Sequence, residues 1–262
     1  MSYRDPSQGS AQPSPADPHH THATNGDGDG SEFQLWRDRS RIVLSPVAAP
    51  SILGLYGFAG ATFMVSSNLA GWWGTPQSQL IIFPFAAMFG GLAQFLAGMW
   101  AYKARDGLAT AMHGTWGAFW LAYGILFSLF ATKALPMPVG TLKPAFGFWF
   151  IVLCVVTAFG ALAATAENGG LFITLLCLAA GSGLLAAAFI GGFTDVQYAG
   201  GWVLVASSAA AIYTASAMML EGSFGRVILP LLKPKAAANI PGRAISSPIE
   251  YPSGMPGARV GQ

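Results

Sequence analysis

Residues 145–166 read AFGFWFIVLCVVTAFGALAATA, and after Glu167-Asn168-Gly169-Gly170 residues 171–192 read LFITLLCLAAGSGLLAAAFIGG. Neither run contains an Asp, Glu, Lys or Arg. A helix needs about 20 apolar residues to cross roughly 30 Å of hydrocarbon, so each run is one crossing and the polar stretch between them is a turn. Outward from this pair the pattern continues in both directions. Between Ile42 and Leu220 the only charges are Lys103, Arg105, Asp106, Lys133, Lys143, Glu167 and Asp195. Hydrophobic residues make up 53% of the chain and charged ones 9%, against about a quarter charged in ordinary soluble domains. A soluble protein needs a charged surface, and this chain has none to offer.

Six segments satisfy the length rule: about 51–71, 79–101, 109–131, 145–166, 171–192 and 199–220. The breaks carry turn chemistry or charge: Gly74-Thr75-Pro76, Lys103 to Gly107, Lys133 to Pro144, Glu167 to Gly170, and Thr194-Asp195. Loops this short make consecutive helices antiparallel, so the expected fold is an all-α membrane protein, six transmembrane helices in a compact up-down bundle. Basic residues set the orientation. With the N-terminus inside, the inner face collects Arg37, Arg39, Arg41, Lys103, Arg105, Arg226, Lys233 and Lys235, and the outer face only Lys133 and Lys143. That bias predicts both ends in the cytoplasm.

The flanks differ in kind. Residues 1–35 are rich in Pro, Ser, His, Asp and Gly and lack the apolar core of a secretory signal. They read as a disordered cytoplasmic tail, as do residues 233–262, leaving 36–232 as the membrane domain. His19, His20 and His22 belong to that tail and are not read as a metal site. Cys154 and Cys177 lie inside apolar runs and read as small packing residues. Glycines at helical spacing, such as Gly54, Gly57 and Gly60 or Gly114, Gly117 and Gly124, read as close-packing faces.

A net charge of +2 without a basic, aromatic-interleaved stripe gives no reason to expect nucleic acid. Signatures of hydrolases, zinc proteases and phosphate-binding loops are missing, and no acid–base pair falls within a span. The expectation is therefore no catalytic residue, no metal and no cofactor. His113, near the start of the third segment, is expected to be a solvated or hydrogen-bonded interfacial residue. Pumps and coupled carriers place charge inside the membrane, and here any solute must meet neutral donors or cross in neutral form. Candidate polar groups on such a path are Thr62, Ser66, Gln94, Thr115 and Tyr213.

Ala49-Pro50-Ser51-Ile52-Leu53-Gly54-Leu55-Tyr56-Gly57-Phe58 resembles the Asn-Pro-Ala-Pro-Leu-Gly-Leu signature of the acetate uptake transporters, the succinate–acetate permease family. Phe89-Gly90-Gly91-Leu92-Ala93-Gln94, Ala97-Gly98, Gly117-Ala118-Phe119-Trp120, Ala211-Ile212-Tyr213, Phe224-Gly225-Arg226 and Leu229-Pro230 continue the likeness in order, over about residues 46–231. Pro50, Leu53, Gly54 and Leu55 carry the signature itself. The resemblance implies a six-helix protomer, a homohexamer, residence in the plasma membrane and a path for small monocarboxylates, chiefly acetate and in some members succinate, either channel-like or linked to protons. It also implies an apolar constriction at Phe58, Trp116 and Leu178. Departures are Ala49 for the signature Asn, Ile52 for its second Pro, Ala101 for an acidic residue, and Trp116 where the family carries Tyr. Other functions stay open at this stage: a channel for another small solute such as ammonia, or a non-transporting membrane scaffold or sensor.

Overall fold

The computed structural model describes residues 47–75 and 77–234. Six helices long and apolar enough to span a bilayer follow one another: α1 Pro50–Leu69, α2 Gln79–Ala104, α3 Gly107–Ala131, α4 Leu142–Ala164, α5 Gly169–Gly191 and α6 Thr194–Phe224. The expected tail over 1–35 lies outside the described residues, and of the other tail only Lys233 and Pro234 fall within them. Lys233 is paired with Glu221 at 2.6 Å. Every Asp, Glu, Lys or Arg within a helix sits near an end: Lys103 on α2, Lys143 on α4, Asp195 and Glu221 on α6. The middle of the bundle carries none of them.

Local chemistry explains most of the boundaries. Pro50 opens α1, where its missing N–H is not needed and its fixed φ suits a helix. Asp106 caps α3 by accepting from the Ala109 amide at 2.8 Å, and Asn168 caps α5 by accepting from the Leu171 amide at 2.8 Å. The break expected over Lys103 to Gly107 narrows to Arg105-Asp106, with Arg105 left-handed at φ 57°. Thr194-Asp195, expected to be loop, instead starts α6. Asp195 in the first turn meets the positive end of the helix dipole, and the turn is made by Gly192 at φ 73° and Phe193. α6 accordingly reaches 31 residues, about 46 Å at ~1.5 Å each.

α2 is not a uniform helix. Pro84 stands inside it, and Ala87–Ala93 winds as a π-helix before α-geometry resumes at Gln94. A proline cannot donate to the preceding turn, and the Gly90-Gly91 pair that follows tolerates the wider winding. The π segment brings the Phe89 carbonyl against Gly57 of α1.

The helices pack in the order α1–α2–α3 and α4–α5–α6, with α6 closing onto α1. In lipid, helices associate through close backbone approach rather than hydrophobic exclusion, and the glycines deliver it. A Cβ on Gly98 of α2 would lie 2.6 Å from the Gly114 amide nitrogen of α3, one on Gly117 of α3 2.7 Å from the Phe95 backbone of α2, and one on Gly201 of α6 2.6 Å from the Ala70 nitrogen. The α3–α4 seam is different. Its backbones stand apart, and aromatic rings fill the space: Phe119 lies 6.3 Å from Phe146 and 5.6 Å from Phe150, and Phe127 stacks on Phe146 at 6.3 Å. Large apolar side chains such as Ile81, Phe85, Trp149, Phe159 and Leu162 point outward, as a lipid-facing surface requires.

The glycine contacts are directional, which makes them testable. Gly98→Ala strikes unyielding backbone and is expected to cost about 1–3 kcal/mol, whereas Gly114→Ala enters open space, nothing lying within 4 Å. Thermal unfolding of the purified variants should show a clear loss for the first and none for the second.

Candidate functional site

Two small cavities lie in line within the bundle, each about 20 Å³, the room a water-sized molecule needs. The first sits toward the N-terminal ends of α1, α3 and α5, and Ser51, Gln94, His113, Glu167 and Thr174 contribute its polar groups. The second is lined by Thr62 and Ser66 of α1, Trp120 of α3, Phe150 of α4 and Leu185 of α5. Trp116 and Leu178 border both cavities, and Phe58 borders the first.

The three residues expected at a constriction therefore meet between the two voids. Phe58, Trp116 and Leu178 are each 2% exposed. The Phe58 and Trp116 rings make an edge contact with centroids 6.4 Å apart. Trp116 is held from the other side as well: its indole Nε1–H donates to Thr157 Oγ1 of α4 at 3.0 Å, and Phe119 lies edge-on at 5.6 Å. Thr157 is fully buried, so the hydrogen bond fixes the ring plane across the α3–α4 seam.

Of the other residues singled out from sequence, Thr62 and Ser66 fall in the second cavity and Gln94 in the first. Thr115 is half-buried and lines neither. Tyr213 also lies off both; its hydroxyl donates to the Pro230 carbonyl at 2.8 Å and ties the segment after α6 to that helix. Pro50 starts α1, Leu53 faces outward, Leu55 lines the first cavity, and Gly54 admits the His113 ring, which a Cβ there would strike at 2.5 Å.

That last contact corrects the expectation for His113. It is 4% exposed rather than solvated, because Gly54 leaves a notch into which the imidazole fits. Sequence reasoning also passed over Glu167 as a loop residue, whereas it lines the first cavity. The one signal that could have found His113 was its place seven residues into a helix opposite a small-residue face.

Among the described residues, five buried side-chain atoms lack a hydrogen-bond partner: Thr62 Oγ1, Gln94 Oε1, His113 Nδ1, Trp120 Nε1 and Ser182 Oγ. Four of the five belong to cavity-lining residues, two in each void. An unpaired buried polar atom costs about 1–3 kcal/mol, a cost that a hydrogen-bonding solute or water in the cavity removes.

At the first cavity's mouth, burial pushes the Glu167 carboxyl up to about 7, and the neighbouring Asp106 carboxylate adds to the effect. Asp106 is also raised by burial, against which the amides of Ala109 and Leu108 pull it down.

The GPR1/FUN34/yaaH family pattern matches residues 37–233. The chain belongs to that family. It is 28% identical over 186 residues to the succinate-acetate/proton symporter SatP of Escherichia coli (strain K12), covering 71% of this chain and 95% of that protein. It is 31% identical over 176 residues to ammonia transport outward protein 2 of Saccharomyces cerevisiae, covering 65% of this chain and 61% of the other. Its fold matches the solved structure of the bacterial acetate channel SatP with a TM-score of 0.65 and 26% identity, over 71% of this chain and 99% of that one. Together with the six apolar helices, this makes the chain an integral, multi-pass membrane protein.

Replacing Thr157 by Val keeps the shape and removes the acceptor of the Trp116 indole. An unpaired buried N–H is expected to cost about 1–3 kcal/mol, read as a lower unfolding temperature together with a shifted, broadened tryptophan emission.

Proposed function

We propose that this chain is a permease for small monocarboxylates of the acetate class, passing the solute along its two aligned cavities and through a neck at Phe58, Trp116 and Leu178. The observation that carries the reading is the pairing of unpartnered polar atoms on either side of an uncharged, aromatic constriction. An apolar neck disfavours hydrated ions, while a weak acid that crosses protonated needs no counter-charge. The family membership and the likeness to the symporter and the channel support the same solute class. A transporter, not an enzyme, is the role this interior suits.

The finer features belong to the same proposal. Residues 36–232 form the transporting unit, flanked by cytoplasmic tails. The basic-residue bias supports cytoplasmic ends and residence in the plasma membrane follows the family resemblance, as does a homohexameric assembly with one path per protomer. Transport is passive or proton-linked.

A second reading, a path for ammonia, is favoured by the yeast relative and by the uncharged lining. The two part on the sign of their pH dependence. Labelled acetate uptake into proteoliposomes is expected to rise as external pH falls, because the neutral acid is the mobile form. Neutral ammonia would instead move faster as pH rises. Acetate uptake no faster than in empty liposomes at any pH removes the first reading.

Two substitutions test the neck. Trp116→Ala is expected to raise the succinate-to-acetate uptake ratio several-fold, and an unchanged ratio removes Trp116 from the path. Phe58→Asp puts a charge worth about 2.5–3.5 kcal/mol near mid-membrane and is expected to cut acetate flux at least tenfold in the same assay.

A further inference from the structure

The first cavity ends on a residue that a passive apolar pore does not need. Glu167 lies in the α4–α5 turn, half-buried, and lines the cavity beside two nine-tenths-buried side chains with unpartnered atoms, Gln94 and His113. Gln94 Oε1 can only accept a hydrogen bond. An undissociated carboxylic acid brings one O–H donor and a carboxylate brings none, so Gln94 Oε1 can pair with the protonated solute and not with its anion. Asp106 faces Glu167 from the α2–α3 turn, and one of its oxygens is already committed to the Ala109 amide. Glu167 is the carboxylate left for other work.

We propose that Glu167 is the proton acceptor at this mouth of the pathway, taking the proton from an arriving carboxylic acid so that the solute leaves as its anion. The inference rests on the permease reading above. In the step, the acid's O–H bond breaks as an O–H bond forms on a Glu167 oxygen. The electron pair stays on the solute, now a carboxylate, which departs to the adjoining water. Water or buffer base on that side then removes the proton from Glu167 and resets it.

The surroundings suit the task. Burial and the Asp106 carboxylate hold the Glu167 carboxyl near 7, where it can both gain and lose a proton close to neutrality. Among the described residues, the groups on elements packed at this end are Asp106 and Arg105 between α2 and α3, Lys103 at the end of α2, His113 on α3, Glu221 on α6, and Arg226 and Lys233 beyond it. Glu221 and Lys233 neutralise each other. After burial, the charge that raises Glu167 is that of Asp106.

The test uses the full chain in proteoliposomes of one orientation, with pH varied about 7 on the Glu167 side and held acidic on the other. The initial rate of labelled acetate moving toward that mouth should climb as the local pH rises through about 7, because only the ionised Glu167 accepts. Glu167→Gln should lose this climb, and Glu167→Asp should restore it. Asp106→Asn, which still accepts from the Ala109 amide, should move the midpoint to lower pH. A climb with the same midpoint in Glu167→Gln overturns the inference and leaves the permease standing. Wild-type protein that carries no acetate overturns the permease reading and this one with it.

Discussion

In hydrocarbon a helix gains nothing by hiding apolar side chains from its surroundings, so the bundle depends on how near its backbones can come to one another. Gly98 on α2, Gly117 on α3 and Gly201 on α6 let adjacent main chains touch. The α3–α4 seam lacks such a contact. Phe119, Phe127, Phe146 and Phe150 hold it apart with rings instead. Both cavities border Trp116 on the α3 side of that seam.

The electrostatics of the interior follow from the same economy. With no Asp, Glu, Lys or Arg in the middle of any helix, an anion between the cavities would have no partner, and bare charge in a low-dielectric region is prohibitive. Neutral hydrogen-bonding groups are affordable there, and the unpartnered atoms of Thr62, Trp120, Gln94 and His113 are of that kind. Thr157 shows the contrast: it satisfies the Trp116 indole outright, so that ring is a fixture while the orphaned atoms remain open to a guest.

The number and placement of the helices were legible because charge-free length is a one-dimensional property. The runs at 145–166 and 171–192 need no tertiary context to be read. Boundaries were less so: Thr194 and Asp195 look like loop residues until the dipole of α6 is considered. The π segment at Ala87–Ala93 left only the Pro84 and Gly90-Gly91 hints, which suit a kink equally well. Phe58, Trp116 and Leu178 came from the family resemblance, since spacing alone would have made them ordinary core. Side-chain direction was the part that no pattern carried. Tyr213 spends its hydroxyl on Pro230, and His113 turns inward because Gly54, far away in the chain, leaves a notch for it.

The two ends of the bundle are not equivalent, and the difference bears on how neutral passage could become charge-coupled. The polar groups around the second cavity are the hydroxyls of Thr62 and Ser66 and the indoles of Trp116 and Trp120, groups that do not exchange protons near neutrality. The first opens beside Glu167 and Asp106, where two helices, α3 and α5, also begin and present the positive ends of their dipoles. A carboxylate there gains from those dipoles, whereas the same ion beside Trp116 would not. In the proposed path, separating an apolar neck from an ionisable mouth keeps the creation of charge out of the membrane's centre. The same proposal lets the neck answer to solute size and the mouth to acidity, so that a change at Trp116 and a change at Glu167 would alter different properties of one path.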